Sequence, residues 1–221
     1  MFHMMSQGKF RRMASIRRRE GPVGLTRALA HAIRVKLDMI GLELLRLRFG
    51  FPLWHARSPD SARAYRKILA KMVNSLHPTC VVEVGCGLGG MLPSIKAPMR
   101  VGYDMDPRVI AAARFLHPRS IRFVEGGFER VADKRIDVLI AVNWIHDFPP
   151  VQLKAWLDPV VQRTRFLLVD AIHPGTPGYA HHHDFGFLEG FSRSRTVQVD
   201  DEPNRSFILW EREGVGGSAP S

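Results

Sequence analysis

The ten residues Val81 to Gly90, VVEVGCGLGG, constrain this chain more than any other stretch. Val81, Val82 and Val84 suit a strand covered on both faces, as in a parallel sheet under helices. Gly85, Gly87 and Gly89 let the backbone turn tightly and come close to a ligand. The pattern predicts a buried parallel strand that breaks into a glycine-rich turn, with a helix N-terminus after it.

Two classes of cofactor use such a turn, because Gly85, Gly87 and Gly90 also satisfy the dinucleotide spacing GxGxxG. Glu83 separates them. A carboxylate two residues before the first glycine repels a pyrophosphate lying on the turn and attracts a cationic ligand. S-adenosyl-L-methionine carries a sulfonium and an ammonium and no phosphate. Here Glu83, Gly85, Cys86, Gly87 and Gly89 resemble the first motif of the class I S-adenosylmethionine-dependent methyltransferases of small-molecule type, an acidic residue followed by GxGxG. An NAD-dependent oxidoreductase, a non-catalytic binding module on the same fold and an ordinary strand-to-helix turn are the alternatives.

The carboxylate that should complete a nucleoside site is present. Asp104 follows Glu83 by 21 residues and ends Arg100–Val101–Gly102–Tyr103–Asp104, a second strand. An acid there accepts hydrogen bonds from both ribose hydroxyls. By the resemblance, Met105 packs on the adenine face, and Gly127 and Phe128, with Glu129 beside them, meet its edge after a third strand, 120–125. A fourth buried strand, 136–142, delivers Asn143 and Trp144 to the carboxyl edge of the sheet, where open α/β folds bind ligands.

The other elements follow from punctuation and periodicity. Ser58–Pro59 starts a helix through about Ser75, Asp106–Pro107 starts one through about Phe115, and Pro149 to Thr164 is a helix interrupted near Pro159. Pro93 limits or kinks the helix after the glycine turn. The link 126–135 has little room for a full helix. A fifth strand spans 165–170, and 196–199 with 206–211 form an antiparallel hairpin. Five parallel units followed by a hairpin resemble the Rossmann-like methyltransferase fold, an α/β fold with a seven-stranded sheet in the order 3-2-1-4-5-7-6. The resemblance covers roughly residues 59–213. The domains expected are a basic N-terminal extension (1–58), a methyltransferase domain (59–213) and a disordered tail (214–221).

Charge marks the extension. Residues 1–58 hold 12 Lys and Arg against 3 Asp and Glu, a net +9, whereas residues 59–221 hold 20 against 18, a net +2. The basicity therefore says little about the substrate of the catalytic half. Residues 1–21 carry six cations without apolar periodicity and are expected to be disordered; Met4, Met5 and Met13 are further candidate starts. From Pro22 to Phe49, Leu25, Leu29, Ile33, Leu37, Ile40, Leu44 and Leu47 recur at helical spacing. That stripe fits packing on its own domain, a homodimer contact, or a peripheral contact with an anionic membrane. No nucleic-acid module or aromatic interleaving is present, so no nucleic-acid partner is expected. No stretch suits a signal peptide or a membrane span. Cys80 and Cys86 form no disulfide framework and no metal-ligand spacing, which fits a reducing cytoplasm.

Methyl transfer to a hydroxyl needs an oriented acceptor and a base, and histidine titrates in the right range. His146, three residues past Asn143, resembles the histidine that many small-molecule methyltransferases carry there; a strand-capping histidine is the plainer alternative. The loop holding His173, Tyr179 and His181–His182–His183–Asp184 offers His183 and His173 as further candidates. Adjacent residues cannot all face one ion, so no metal site is expected. Trp54, His55 and Tyr65 are candidate substrate contacts or packing residues. Asn143–Trp144–Ile145–His146 lacks the Asn-Pro-Pro-aromatic pattern of enzymes that methylate bases and glutamine. With the near-neutral catalytic half, that absence favours a small-molecule, saccharide or lipid-linked acceptor.

Overall fold

The three valines form β1, Cys80–Val84, whose five residues are all buried. The computed structural model describes residues 2–117, 121–199 and 202–214, with the side chains of 2–22, 25 and 60 outside the description. β1 is an interior strand of a seven-stranded sheet ordered β3-β2-β1-β4-β5-β7-β6, the order that the resemblance implies. The other strands are β2 (Met99–Asp104), β3 (Arg122–Glu125), β4 (Ile136–Ala141), β5 (Thr164–Ile172), β6 (Phe191–Val199) and β7 (Glu202–Arg212). The first five run parallel, and β7 pairs antiparallel with both β5 and β6. The hairpin strands are longer than the sequence pattern suggests. Of the turn expected across 200–205, residues 202–205 belong to β7, while 200–201, the start of the third strand at Ser120 and the tail from 215 lie outside the described residues.

Alternate residues of the strands go to opposite faces, so the sheet builds a core on each. Val81, Val138, Ile140, Leu168 and Phe207 share one core with Leu69 and Val73 of α2 (Ala64–Asn74) and Ile110 and Ala113 of α3 (Pro107–Leu116). Val82, Val84, Leu139, Leu167 and Val169 share the other with Leu153, Leu157 and Val160 of α4 (Pro150–Val161). Asp137 fastens the entry of the two central strands. Its Oδ2 accepts from the backbone N–H and hydroxyl of Thr79 and from the N–H of Cys80, at 2.6–3.0 Å.

Four local expectations are corrected. The helix expected after the glycine turn is absent, and one 3-10 turn, Leu92–Ser94, stands in its place. Prolines at 93 and 98 leave too short a run for an α-helix, and Met91, Leu92 and Ile95 are buried instead as a tight loop. α4 runs unbroken through Pro159. The helix expected from Pro59 begins as a 3-10 turn, Asp60–Ala62, with α2 following. Residues 2–21, expected to be disordered, belong to α1, Phe2–Phe49. Arg, Lys, Met and Ala are good helix formers, so the missing apolar face argued against packing there and not against a helix.

Residues to Arg48 together with Pro52–Ala62 form one compact unit, and Phe49–Phe51 with the chain from Arg63 form the second. Every element of the sheet and its site belongs to the second.

Candidate active site

The glycine turn is held by β2. The Cys86 N–H donates to the Tyr103 carbonyl at 2.9 Å, the Gly89 N–H to the Cys86 carbonyl at 2.9 Å, and the Gly87 N–H to Asp104 Oδ2 at 2.9 Å. Asp104 Oδ1 accepts from the Asp106 N–H at 3.1 Å. Gly85, Gly87 and Gly89 all have positive φ, the conformation that favours glycine. A Cβ at Gly85 would also lie 2.1 Å from Nε1 of Trp144.

Two carboxylates border this turn, both buried. Burial raises the Asp104 carboxyl above its ordinary value, although the N–H groups of Asp106 and Gly87 pull it down. Burial pushes the Cys86 thiol well above its usual value, and the neighbouring charges of Glu83 and Asp104 act in the same direction. When ionised, the two carboxylates favour a cationic ligand on the turn and disfavour a pyrophosphate. On the chemistry of its donors the site fits S-adenosylmethionine.

The remaining expected contacts divide. Trp144 Nε1–H donates to the Val84 carbonyl at 2.8 Å, and its ring centroid lies 5.6 Å from that of buried Phe128. The Gly127 N–H donates to Glu129 Oε1 at 2.8 Å. Met105 is 74% exposed.

At the end of β4 the sequence reading missed two residues that arrange the rest. Asp170, near the end of β5, is fully buried. Its carboxylate accepts from the Asn143 N–H at 3.1 Å and from Arg205 Nε at 2.8 Å, and Oδ2 lies 3.3 Å from His146 Nε2. Burial opposes the charge of Asp170, but its contact with His146 and the Arg205 guanidinium outweigh burial and hold the carboxyl below its usual range. Arg205, from β7, also donates to Asn143 Oδ1 and, at 2.7 Å, to Glu202 Oε2. The Tyr65 hydroxyl donates to the same Asn143 oxygen at 3.2 Å. Asn143 thus keeps a φ of +81°, which asparagine tolerates better than most residues. One signal of Asp170 was legible: like Glu83 and Asp104, it is an acid near the carboxyl end of a buried apolar run. Arg205 carried none.

His146 is 1% exposed. Its Nε2 faces the Asp170 carboxylate, so a proton on that nitrogen would leave the lone pair on Nδ1. Neither nitrogen of the ring makes a hydrogen bond of good geometry among the described residues. The histidine loop closes over it: the rings of Tyr179 and His183 stand 5.5 and 5.4 Å away, and the His181 N–H donates to the His146 carbonyl. His183 is buried, its Nε2 3.0 Å from the Ile145 carbonyl, and burial lowers its pKa. His173 stands apart and exposed, its backbone bonded to Asn204. No group of three or more His, Cys, Asp or Glu side chains among the described residues could hold a metal. Trp54 is exposed and stacks on His55.

No protein-family model and no curated protein matches the chain. Solved structures do. The magnesium protoporphyrin IX methyltransferase of Synechocystis PCC 6803 with bound SAM aligns with a TM-score of 0.57 at 15% identity, over 83% of this chain and 97% of that one. The N-methyltransferase NodS of Bradyrhizobium japonicum WM9, in complex with S-adenosylhomocysteine, aligns with a TM-score of 0.58 at 13% identity, over 79% and 98%. The mitomycin 7-O-methyltransferase MmcR gives 0.53 at 16%, over 69% and 56%. The fold is therefore the Rossmann-like fold of the class I methyltransferases.

Proposed function

We propose that this chain is an S-adenosylmethionine-dependent methyltransferase that methylates a hydroxyl of a small-molecule, saccharide or lipid-linked acceptor. The observation that carries the reading is the pair of buried carboxylates, Glu83 and Asp104, flanking a glycine turn at the carboxyl edge of β1 and β2. The structural neighbours crystallised with SAM or S-adenosylhomocysteine support it. Bound at the turn, S-adenosylmethionine supplies a methyl group on a sulfonium, already activated for displacement. In this reading Asp104 takes the ribose hydroxyls, Glu83 complements the positive end, and Phe128 with Trp144 walls the edge of the site.

The chain's own task is then to orient the acceptor and take its proton. His146 Nδ1 is the base in this reading, with Asp170 fixing the tautomer and balancing the imidazolium that forms. Arg205 and Asn143 fix Asp170. Because His146 is 1% exposed, this reading requires the histidine loop to open for the acceptor. Two buried thiols fit a reducing cytoplasm.

Calorimetry with S-adenosylhomocysteine and with NAD tests the reading. Binding of the first without the second is expected, and Asp104→Ala should weaken it by about 1 to 3 kcal/mol through the lost hydroxyl partners. Tight binding of NAD alone would make the chain an oxidoreductase. A screen of cell extracts for an acceptor that gains a methyl group would separate an enzyme from a binding module.

A further inference from the structure

The apolar stripe of α1 is left uncovered. Leu29, Ile33, Leu37, Ile40, Leu44 and Leu47 are 51 to 66% exposed, and they span about 27 Å of helix. Leu45, on the other side of the same helix, is buried. A row of six large aliphatic side chains in water is costly and marks a contact surface.

Charge says which contact. By helical spacing Lys36 borders the stripe on one edge and Arg34 and Arg48 on the other, all exposed. The two acids nearby are each matched to an arginine: Asp38 lies 3.9 Å from Arg34 and Glu43 lies 2.6 Å from Arg46. The same helix extends back to Phe2, where the sequence adds Lys9, Arg11, Arg12, Arg17, Arg18 and Arg19 against Glu20 alone. A second copy laid on this stripe, in either direction, would set cations at both ends of one helix against cations of the other, and both acids among the described side chains of the helix already face an arginine. An anionic lipid surface offers what the helix lacks, with acyl boundary for the stripe and phosphates for long basic side chains that snorkel outward. No helix among the described residues is long and apolar enough to cross a membrane, so the geometry is that of a helix lying in the surface.

We propose that α1 is an in-plane membrane anchor, its Leu29-to-Leu47 stripe seated at the acyl boundary of an anionic leaflet and its flanking lysine and arginines on lipid phosphates.

The test is co-sedimentation of the full chain with vesicles of phosphatidylglycerol and phosphatidylcholine in equal parts, beside vesicles of phosphatidylcholine alone. Binding to the first is expected to fall steeply from low to molar salt, since basic residues near a charged surface are screened. Each Lys or Arg changed to Gln in Lys36→Gln/Arg48→Gln should cost about fivefold in partitioning. Leu37→Glu/Leu44→Glu should cost at least about tenfold at low salt while leaving the melting midpoint of the domain unchanged, because both positions are exposed. Absence of vesicle binding at low salt, equal binding to both vesicle types, or binding that ignores the stripe variant overturns the proposal. A lipid-free dimer in light scattering that the stripe variant dissolves also overturns it and assigns the stripe to a second copy.

Discussion

The indole of Trp144 occupies the space that a side chain at Gly85 would need, 2.1 Å from where its Cβ would stand, while Nε1–H closes on the carbonyl of Val84. The first glycine of the turn therefore answers to the end of β4 as well as to any ligand. Gly85→Ala should destabilise the domain by about 3 kcal/mol, from overpacking and from a side chain at positive φ. Adding Trp144→Ala should recover part of that loss in a double-mutant cycle of urea melts. Strict additivity of the two changes would show that the residues do not compete for this space.

Asp170 and His146 should fail together in catalysis. His146→Ala is expected to lower kcat by roughly 100-fold or more with little change in cofactor affinity. Asp170→Asn should lower kcat and shift the pH profile, because an amide no longer dictates which imidazole nitrogen holds the proton. Full turnover in His146→Ala would remove it as the base and leave His183 and His173 as the remaining histidine candidates.

Much of this site was legible, and the illegible part has a common cause. Glu83, Asp104 and the glycines announce themselves because each sits at a strand end next to a break in the apolar run, a signal contained within ten residues. His146 follows the same rule at β4. Arg205 reaches Asp170 only because β7 folds back antiparallel on β5, setting Arg205 opposite Ile172; no local pattern encodes a partner 35 residues away. The missing crossover helix misled for a related reason. A glycine turn implies a helix when enough chain follows, and here the proline-bounded loop closes first.

His183 makes stability fall on mild acidification. Burial lowers its folded pKa, so between that value and the ordinary value of about 6.5 the unfolded chain holds a proton that the folded chain does not. Stability then rises with pH through this window and is lost as pH drops below about 6.5. Asp170, also lowered, adds a second loss below the ordinary carboxylate value of about 3.9. Thermal melts from about pH 8 downward should show the first decline in the parent and a smaller one in His183→Gln. Identical profiles would place the decline on other groups.

Both cysteines should resist alkylation in the folded state. Burial pushes the Cys80 thiol up to about 11, with Asp133 and Asp137 adding to it, and Cys86 is raised further from reactivity by its two acidic neighbours. The thiolate is the reactive form, so iodoacetamide labelling near neutral pH should track global unfolding in urea. Rapid labelling of either cysteine before the unfolding transition would contradict the buried environments described.

The single 3-10 turn after the glycines has an electrostatic consequence. A full helix beginning there would aim its macrodipole, roughly half a positive elementary charge, at whatever lies on the turn, and that positive end is the usual cradle of a bound phosphate. Leu92–Ser94 is too brief to build such a dipole. No helix end stands over the glycine turn from this segment, so the field of Glu83 acts there without opposition from one. The shortened crossover thus tunes the cleft toward ligands that arrive with positive charge.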